Sequence, residues 1–500
     1  MDDEIKDLRE HLATISDLRA AGGVLSWDRQ TYMPPGGVEA RAGQIATLSR
    51  LAHELLASPK TERLIEAAGE PEPDSDTEAL VRIARRDHER AVKLPTRLVE
   101  ESSRVSALSE PAWKQARETS DWNSLIPHME RVLELRREVA ARLSNGHPYD
   151  ALLDLYEPGT TSSRLQTMFD EIKTATLPLV RNIASLPDNE RDAPLRGAFD
   201  EASQERFGRT TASAFGYDWR RGRLDRAAHP FCIDFGSPGD VRMTTRFDPK
   251  RFAVAFFATC HETGHALYEQ GINPAYARTP LSGGVSMGIH ESQSRLWENL
   301  VARSRPFWSH FLPSLKEVFP REFGDLDLNT FHRAVNTVRP SPIRTEADEL
   351  TYNLHILIRF ELEMALFEDG LSVKDLPDAW NAKTEEYLGF TPESAATGIL
   401  QDIHWPAGYF GYFPMYSVGN VLSVQLFEAA TQEHPIIHEE MENGEFGTLL
   451  DWLRRNVHHA GSKHDPQDLI QASTGRAMDT TPYLNYLKTK FTDLYNLGGS

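Results

Sequence analysis

The chain has 500 residues, with 54 Lys and Arg against 74 Asp and Glu, a formal net charge of −20, and only two cysteines. That length can bury a large core in one big domain or several, and the acidic excess argues against a nucleic-acid surface and for a soluble protein. With no apolar run of about 18 residues to span a bilayer, a charged start MDDEIKDLREHL, and Cys232 and Cys260 outside any disulfide-like pattern, the composition predicts a cytoplasmic chain without a membrane partner.

Helical periodicity dominates from the N-terminus. Apolar residues recur at three- and four-residue spacing, with charges between them, over Glu4–Ala21, Glu39–Ala57, Thr77–Val92, Trp122–Leu143 and Ser163–Ile183. The segment His229–Phe247, HPFCIDFGSPGDVRMTTRF, reads differently: β-branched and apolar residues flank the turn Gly236, Ser237, Pro238, Gly239. It predicts a short β-hairpin, whose edge could either hold an extended peptide or simply close off the fold.

A helix follows, because Asp248 can cap its start, Pro249 suits its first position and Gly271 can end it, with Gly264 the only breaker between Lys250 and Gly271. Beyond it, Ser292–Ser304, Glu346–Phe367, Pro377–Leu388 and Val421–Ala430 predict further helices. No internal repeat, low-complexity tract or linker interrupts them. The expectation is an all-α fold with a short β-hairpin or small sheet near the site, one domain over residues 1–500 with two helical lobes around a cleft.

The chemistry lies on the predicted helix at Lys250–Gly271. His261, Glu262, Thr263, Gly264 and His265 spell HExxH, which sets two imidazoles four apart on one face, about 6 Å along the axis, where both reach one metal ion. Neutral imidazole ligates Zn²⁺ well, a catalytic site keeps its fourth position for water, and Glu262 beside the ligands can take a proton from that water. Composition alone yields on the order of 0.05 such matches in a chain with 18 His, so the motif suggests a metal hydrolase without sufficing for one. Cys260 precedes His261, but adjacent helical positions point about 100° apart, and core packing is the better reading for it. A third ligand must come from the stretch SMGIHESQSRLWENL, on a helix starting near Gly288. His290, Glu291 and Glu298 are the candidates there. Two His and one Glu form an established catalytic set, which favours a Glu but does not separate Glu291 from Glu298, seven apart on one face.

Six ordered blocks then resemble those of the carboxypeptidase Taq family of metallocarboxypeptidases: HPF at His229, DVRMT at Asp240–Thr244, HETGH at His261, HESQ at His290–Gln293, IRTEAD at Ile343–Asp348 and GILQDIHW at Gly398–Trp405. LSWDRQTYMPPGG at Leu25–Gly37 and GYFGYFPMYSVGN at Gly408–Asn420 are similar to that family as well, so the resemblance spans nearly the whole chain. It implies a groove-bearing helical fold like that of neurolysin and angiotensin-converting enzyme, and a homodimer. It also implies Glu291 as third ligand, with His290 as a hydrogen-bonding neighbour and Glu298 as a supporting or core-facing polar group.

A carboxypeptidase must grip a free C-terminal carboxylate, which the planar fork of Arg matches. The resemblance makes Arg344 of IRTEAD the first candidate and Arg242 of DVRMT the second, with His229 of HPF a further substrate-binding candidate. His404 of QDIHW, with Tyr412 or Tyr416 of the aromatic block, is expected to stabilise the oxyanion; the sequence does not choose between the two tyrosines, and such an aromatic cluster is as readily core.

The expected activity is hydrolysis of the C-terminal peptide bond with release of single amino acids. Zn²⁺ is the expected metal, Co²⁺ being accepted by the same ligands, and the partners are peptides with a free C-terminus. Two other readings compete. One is an endo- or dipeptidyl-type oligopeptidase on the same scaffold; the other is a non-catalytic helical scaffold with a structural metal, against which the open fourth position speaks.

Overall fold

The periodic segments become helices whose ends are set by local caps and turns. A computed structural model describes residues 2–187, 191–368 and 370–497. The five expected N-terminal helices are present as Asp2–Thr31, Val38–Leu56, Asp76–Lys93, Trp122–Leu143 and Ser162–Ala184. Helices at Pro59–Ala68, Thr96–Thr119, Glu201–Phe215, Arg305–Val318 and Thr481–Tyr495 were not predicted. The second of these carries Pro111 in its interior, a residue that reads as a breaker in sequence.

The chain forms two compact units, each from three segments. The first comprises Met1–Ala91, Asn189–Thr337 and Gly419–Asp479; the second comprises Val92–Asp188, Val338–Val418 and Thr480–Ser500.

In the first unit the expected hairpin is real but belongs to a three-stranded sheet, β1 (Leu224–Arg226), β2 (Cys232–Asp234) and β3 (Val241–Thr245), in the order β1-β3-β2. β2 pairs antiparallel with β3, Cys232 opposite Met243, whereas β1 runs parallel to it with Leu224 opposite Met243. β1 escaped the sequence pattern because it is three residues long and pairs across a gap in sequence. The central strand is buried through Val241 and Met243 and packs on the helix that carries HExxH, where Thr259 Oγ1 donates to Thr245 Oγ1 at 3.3 Å.

That motif helix spans Phe252–Gly271, so its predicted start at Lys250 is corrected by two residues. Asp248 caps a turn instead, accepting from Lys250 N and Arg251 Nε, each at 2.8 Å. Extended pairing competes with helix here: Pro249 and Lys250 accept from Phe199 N at 2.8 Å and Gly197 N at 3.0 Å, and Arg251 bridges Arg196. Once helical, the segment is buried nearly all round, as Phe252, Phe256 and Phe257 join a cluster with Phe207, Phe307 and Phe311. Each such ring taken fully from water contributes about 1.5–3 kcal/mol, which anchors the helix without help from a side-chain cap.

The helix bearing HESQ begins at Met287, next to the start expected near Gly288 and five residues before the periodic stretch from Ser292, because Ser286 Oγ accepts from Ile289 N at 3.1 Å; after Arg295 it continues as a π-helix over Leu296–Ala302.

In the second unit the helix predicted from Glu346 begins at Tyr352. Arg344–Glu346 forms a 3-10 turn, and Asp348 accepts from Leu350 N and Thr351 N, both at 3.0 Å, which holds the intervening chain off the helix. Leu376–Leu388 matches the expected Pro377–Leu388; the predicted Val421–Ala430, which belongs to the first unit, is the interior of Pro414–Glu433. Among the described residues no helix is long and apolar enough to cross a membrane.

Candidate active site

Glycine sets the approach of the two helices in the first unit. A Cβ on Gly264 would lie 2.5 Å from Gln293 O and 2.6 Å from Ser294 Cα, so only glycine lets the motif helix press on the backbone of Met287–Arg295. A Cβ on Gly419 would likewise lie 2.5 Å from Cβ and Cγ of Glu291. The contact aligns His261, His265 and Glu291, whose ligand atoms all lie within 4.8 Å of one another. Glu291 Oε2 stands 3.6 Å from His261 Nε2 and 3.4 Å from His265 Nε2.

The far nitrogens of both imidazoles are occupied. His261 Nδ1 lies 2.9 Å from Glu298 Oε2, and a carboxylate can only accept, so Nδ1 carries a hydrogen and the neutral imidazole, once any second proton has left, presents its lone pair at Nε2. His265 Nδ1 meets His290 Nδ1 at 2.5 Å, and His290 Nε2 meets Glu269 Oε1 at 2.7 Å. Glu269 therefore fixes His290 as a donor at Nε2 and an acceptor at Nδ1, which leaves His265 donating at Nδ1 and, again, a lone pair at Nε2. Two neutral imidazoles and one carboxylate with converging lone pairs fit a divalent cation.

Charge follows from burial and neighbours. Burial opposes ionisation of Glu291, but Arg295, His261 and His265 outweigh it and hold its carboxyl well below the ordinary range. Burial pushes His265 down to about 3 and pushes Glu262 up to about 7. For His261 burial is outweighed by Glu291 and Glu298, and its pKa rises. Glu262 is buried, and no described residue hydrogen-bonds to its carboxylate, unlike Glu291 and Glu298, so its oxygens are available to a water.

A second group gathers in the second unit. Arg344 is only 4% exposed, and its Nε and Nη2 donate to Asp402 Oδ1 at 3.0 and 2.9 Å while Nη1 donates to Tyr352 Oη at 3.0 Å. The other carboxylate oxygen of Asp402 accepts from Arg359. His404 Nε2 lies 3.3 Å from the Tyr416 hydroxyl, the His404 and Tyr412 rings are 5.5 Å apart, and the Arg344 guanidinium lies 5.0 Å from the Tyr416 ring centre. Tyr412 and Tyr416 are half-buried, between the fully buried Phe410 and Phe413 and the exposed Tyr409. Glu363 holds the intervening loop in shape by accepting from Trp405 Nε1, Gly411 N and Tyr149 Oη, each at 2.7 Å.

The described hydrogen bonds of Arg242 and His229 run to other residues. Arg242, on β3, gives its Nε and Nη2 to Asp240 at 2.8 and 2.7 Å and lies between the rings of Trp27 and Phe235, 4.5 and 4.8 Å away. His229 is exposed on the approach to β2, its Nδ1 donating to Pro230 O at 2.7 Å.

The sequence reading missed Arg295, Glu269, Asp402 and Arg359. Two of these had a signal: Arg295 follows Glu291 by four and Glu269 follows His265 by four, the spacing that brings side chains onto one helical face. Arg359 had none, since its partner Asp402 is 43 residues away.

A family model described as carboxypeptidase Taq (M32) metallopeptidase matches residues 7–491. Among curated relatives, thermostable carboxypeptidase 1 of Thermus thermophilus is 42% identical over 504 residues, covering 98% of each chain. Carboxypeptidase 1 of Bacillus subtilis is 39% identical over 495 residues, covering 98% of this chain and 99% of its own. The crystal structure of an M32 carboxypeptidase from Deinococcus radiodurans R1 superposes with a TM-score of 0.94 at 39% identity, covering 99% of this chain and all of that one.

Proposed function

The chain belongs to the carboxypeptidase Taq (M32) family of metallopeptidases, and from that premise we propose how this metal-dependent carboxypeptidase divides its work among its own residues. His261, His265 and Glu291 hold the metal, Zn²⁺ because two borderline imidazoles and one carboxylate are an established set for that borderline cation, with Co²⁺ an alternative for the same ligands. A bound divalent ion supplies Lewis-acid chemistry, lowering the pKa of water and polarising a carbonyl.

Glu262 takes the proton of the attacking water and delivers it to the departing amine nitrogen. Its burial supports this, because a carboxylate raised toward neutrality is both a better base and a better acid at physiological pH than an exposed one. His404, with Tyr412 or Tyr416, donates hydrogen bonds to the developing oxyanion.

Arg344 receives the C-terminal carboxylate. Of its five N–H bonds, Asp402 and Tyr352 take three, leaving one on each terminal nitrogen, a pair that can meet two carboxylate oxygens. Asp402 then serves as a fixed counter-charge that orients the guanidinium. Arg242 is the weaker candidate because Asp240 already takes one full edge of its fork, and His229 remains a further candidate for binding the peptide.

The substrates are peptides, and one amino acid is released per cycle. Two free cysteines suit a reducing cytoplasm, and a homodimer, which rests on the family resemblance, would show as twice the chain mass in light scattering.

The observation that carries the reading is the convergence of three ligand atoms beside a buried carboxylate that has no hydrogen-bond partner among the described residues. Glu262→Gln tests it: the variant keeps the shape and the ligands, so it should retain its metal by elemental analysis and lose activity by about 10²–10⁴-fold. Retention of most of the turnover would remove Glu262 from the mechanism.

A further inference from the structure

Three arginine–carboxylate contacts surround the ligand cluster, and one of them bears on how Glu291 binds. Arg295 lies one helical turn beyond Glu291, and its Nε donates to Glu291 Oε1 at 2.6 Å. Its Nη1 donates to Glu298 Oε2 at 3.2 Å, the same oxygen that receives His261 Nδ1 at 2.9 Å. Glu298 is anchored from its other side by Arg303, the residue that ends the π-helical segment, whose Nη2 donates to Oε1 at 3.2 Å. One guanidinium thus joins a candidate metal ligand to the carboxylate supporting another.

The two oxygens of Glu291 are consequently unlike. Oε2 faces the imidazoles at 3.4 and 3.6 Å, while Oε1 is drawn away by the charged donor. Ser294 Oγ lies 3.0 Å from Oε2, but its single hydrogen has a shorter acceptor in Glu291 O at 2.7 Å. The Arg295 side chain is only 11% exposed, and a desolvated charge-assisted bond of this kind resists exchange for a metal bond.

We propose that Arg295 is a positioning residue that makes Glu291 a one-oxygen ligand, keeping Oε1 off the metal so that a coordination position stays open for water and substrate. The inference rests on Glu291 being a ligand. Without Arg295 the carboxylate is free to turn and offer both oxygens, a closed arrangement that holds metal but admits substrate oxygen less readily.

The experiment replaces the metal by Co²⁺ alone in the purified full chain and reads the visible absorption per bound ion, which is several-fold stronger for four-coordinate than for five-coordinate cobalt. In Arg295→Met, which keeps the apolar stem and loses the donor, we expect one bound cobalt, a visible band weakened at least twofold, and a kcat lowered about 10–100-fold with KM within about threefold. Arg295→Lys, which retains a charged donor for Oε1, should restore the band toward that of the unsubstituted protein.

Arg295→Met binding one cobalt with the unsubstituted band and kcat would overturn the proposal. If that variant does not fold or bind cobalt, Arg295→Lys decides, and loss of cobalt or of band strength there also overturns it. Glu291→Gln separates the premise: tight stoichiometric cobalt binding without the carboxylate would show that Glu291 is no ligand, whatever the Arg295 variants do.

Discussion

Replacing Gly264 by Ala should damage the protein, although the same change in an exposed helix interior stabilises by about 1 kcal/mol. The new methyl would sit 2.5 Å from Gln293 O and 2.6 Å from Ser294 Cα, about 1 Å inside ordinary contact, and both obstacles are backbone that no rotamer change can move. Overpacking of this kind costs about 1–3 kcal/mol, and a backbone clash belongs at the upper end, so a net loss of about 1–2 kcal/mol remains after the gain in helix propensity. The larger effect falls on the ligands, because His261 and His265 lie on one of the separated helices and Glu291 on the other. Metal sites tolerate errors of about 0.2 Å in ligand distance, so metal affinity should fall at least about 100-fold, or about 2.7 kcal/mol. Denaturant unfolding of the metal-free protein reads the first quantity and chelator competition the second. A Gly264→Ala protein as stable as its parent, with unchanged affinity, would refute the close-approach reasoning.

Metal affinity should fall as pH falls through the raised pKa of His261, approaching but not exceeding about tenfold per pH unit, because the ion must displace one proton from an imidazole held above its ordinary value. His265, held near 3 by burial, contributes no proton in that range; chelator competition at stepped pH checks this, and a flat affinity between about pH 5 and 7 contradicts it. Asp402→Asn should cost about 3–5 kcal/mol of stability in a denaturant melt, since it strands Arg344 and Arg359 without their shared counter-charge. Those two arginines outweigh the effect of burial and hold the Asp402 carboxyl well below its ordinary range. Its contribution is therefore complete above about pH 4 and is lost only as pH falls through the lowered value, so the deficit of the variant should be constant from about pH 5 to 8.

Much of the helical framework was legible because amphipathic periodicity survives in the strand-poor chain, and Trp122–Leu143 was read to the residue. The errors share a cause. The motif helix starts late because residues 249 and 250 pair with an extended segment some 50 positions earlier, and β1 was invisible because its partner β3 comes after an intervening turn and strand. Both are non-local bonds that a window of sequence does not contain. The ligand cluster was readable where spacing on one helix placed it, in His261 and His265. Glu291 needed the family resemblance, since spacing alone left Glu298 open; the structure puts the latter on the rear of His261 instead. The partners of Arg344 were out of reach, because a buried arginine and an aspartate 58 residues on leave no periodic trace. The breaker Gly264 was visible from the start, but its reason is a backbone contact with another helix.

The most direct measurement compares two peptides of identical sequence, one with a free C-terminal carboxylate and one amidated, and follows the single amino acids released by the metal-loaded protein. Cleavage of the free acid at least about 100-fold faster than the amide, with Arg344→Met abolishing that difference, is the predicted result, since a bidentate charged contact is worth about 1.5–3 kcal/mol or more. Equal rates for the two peptides, or internal fragments in place of single residues, would contradict the assignment of a carboxypeptidase that recognises its substrate through Arg344.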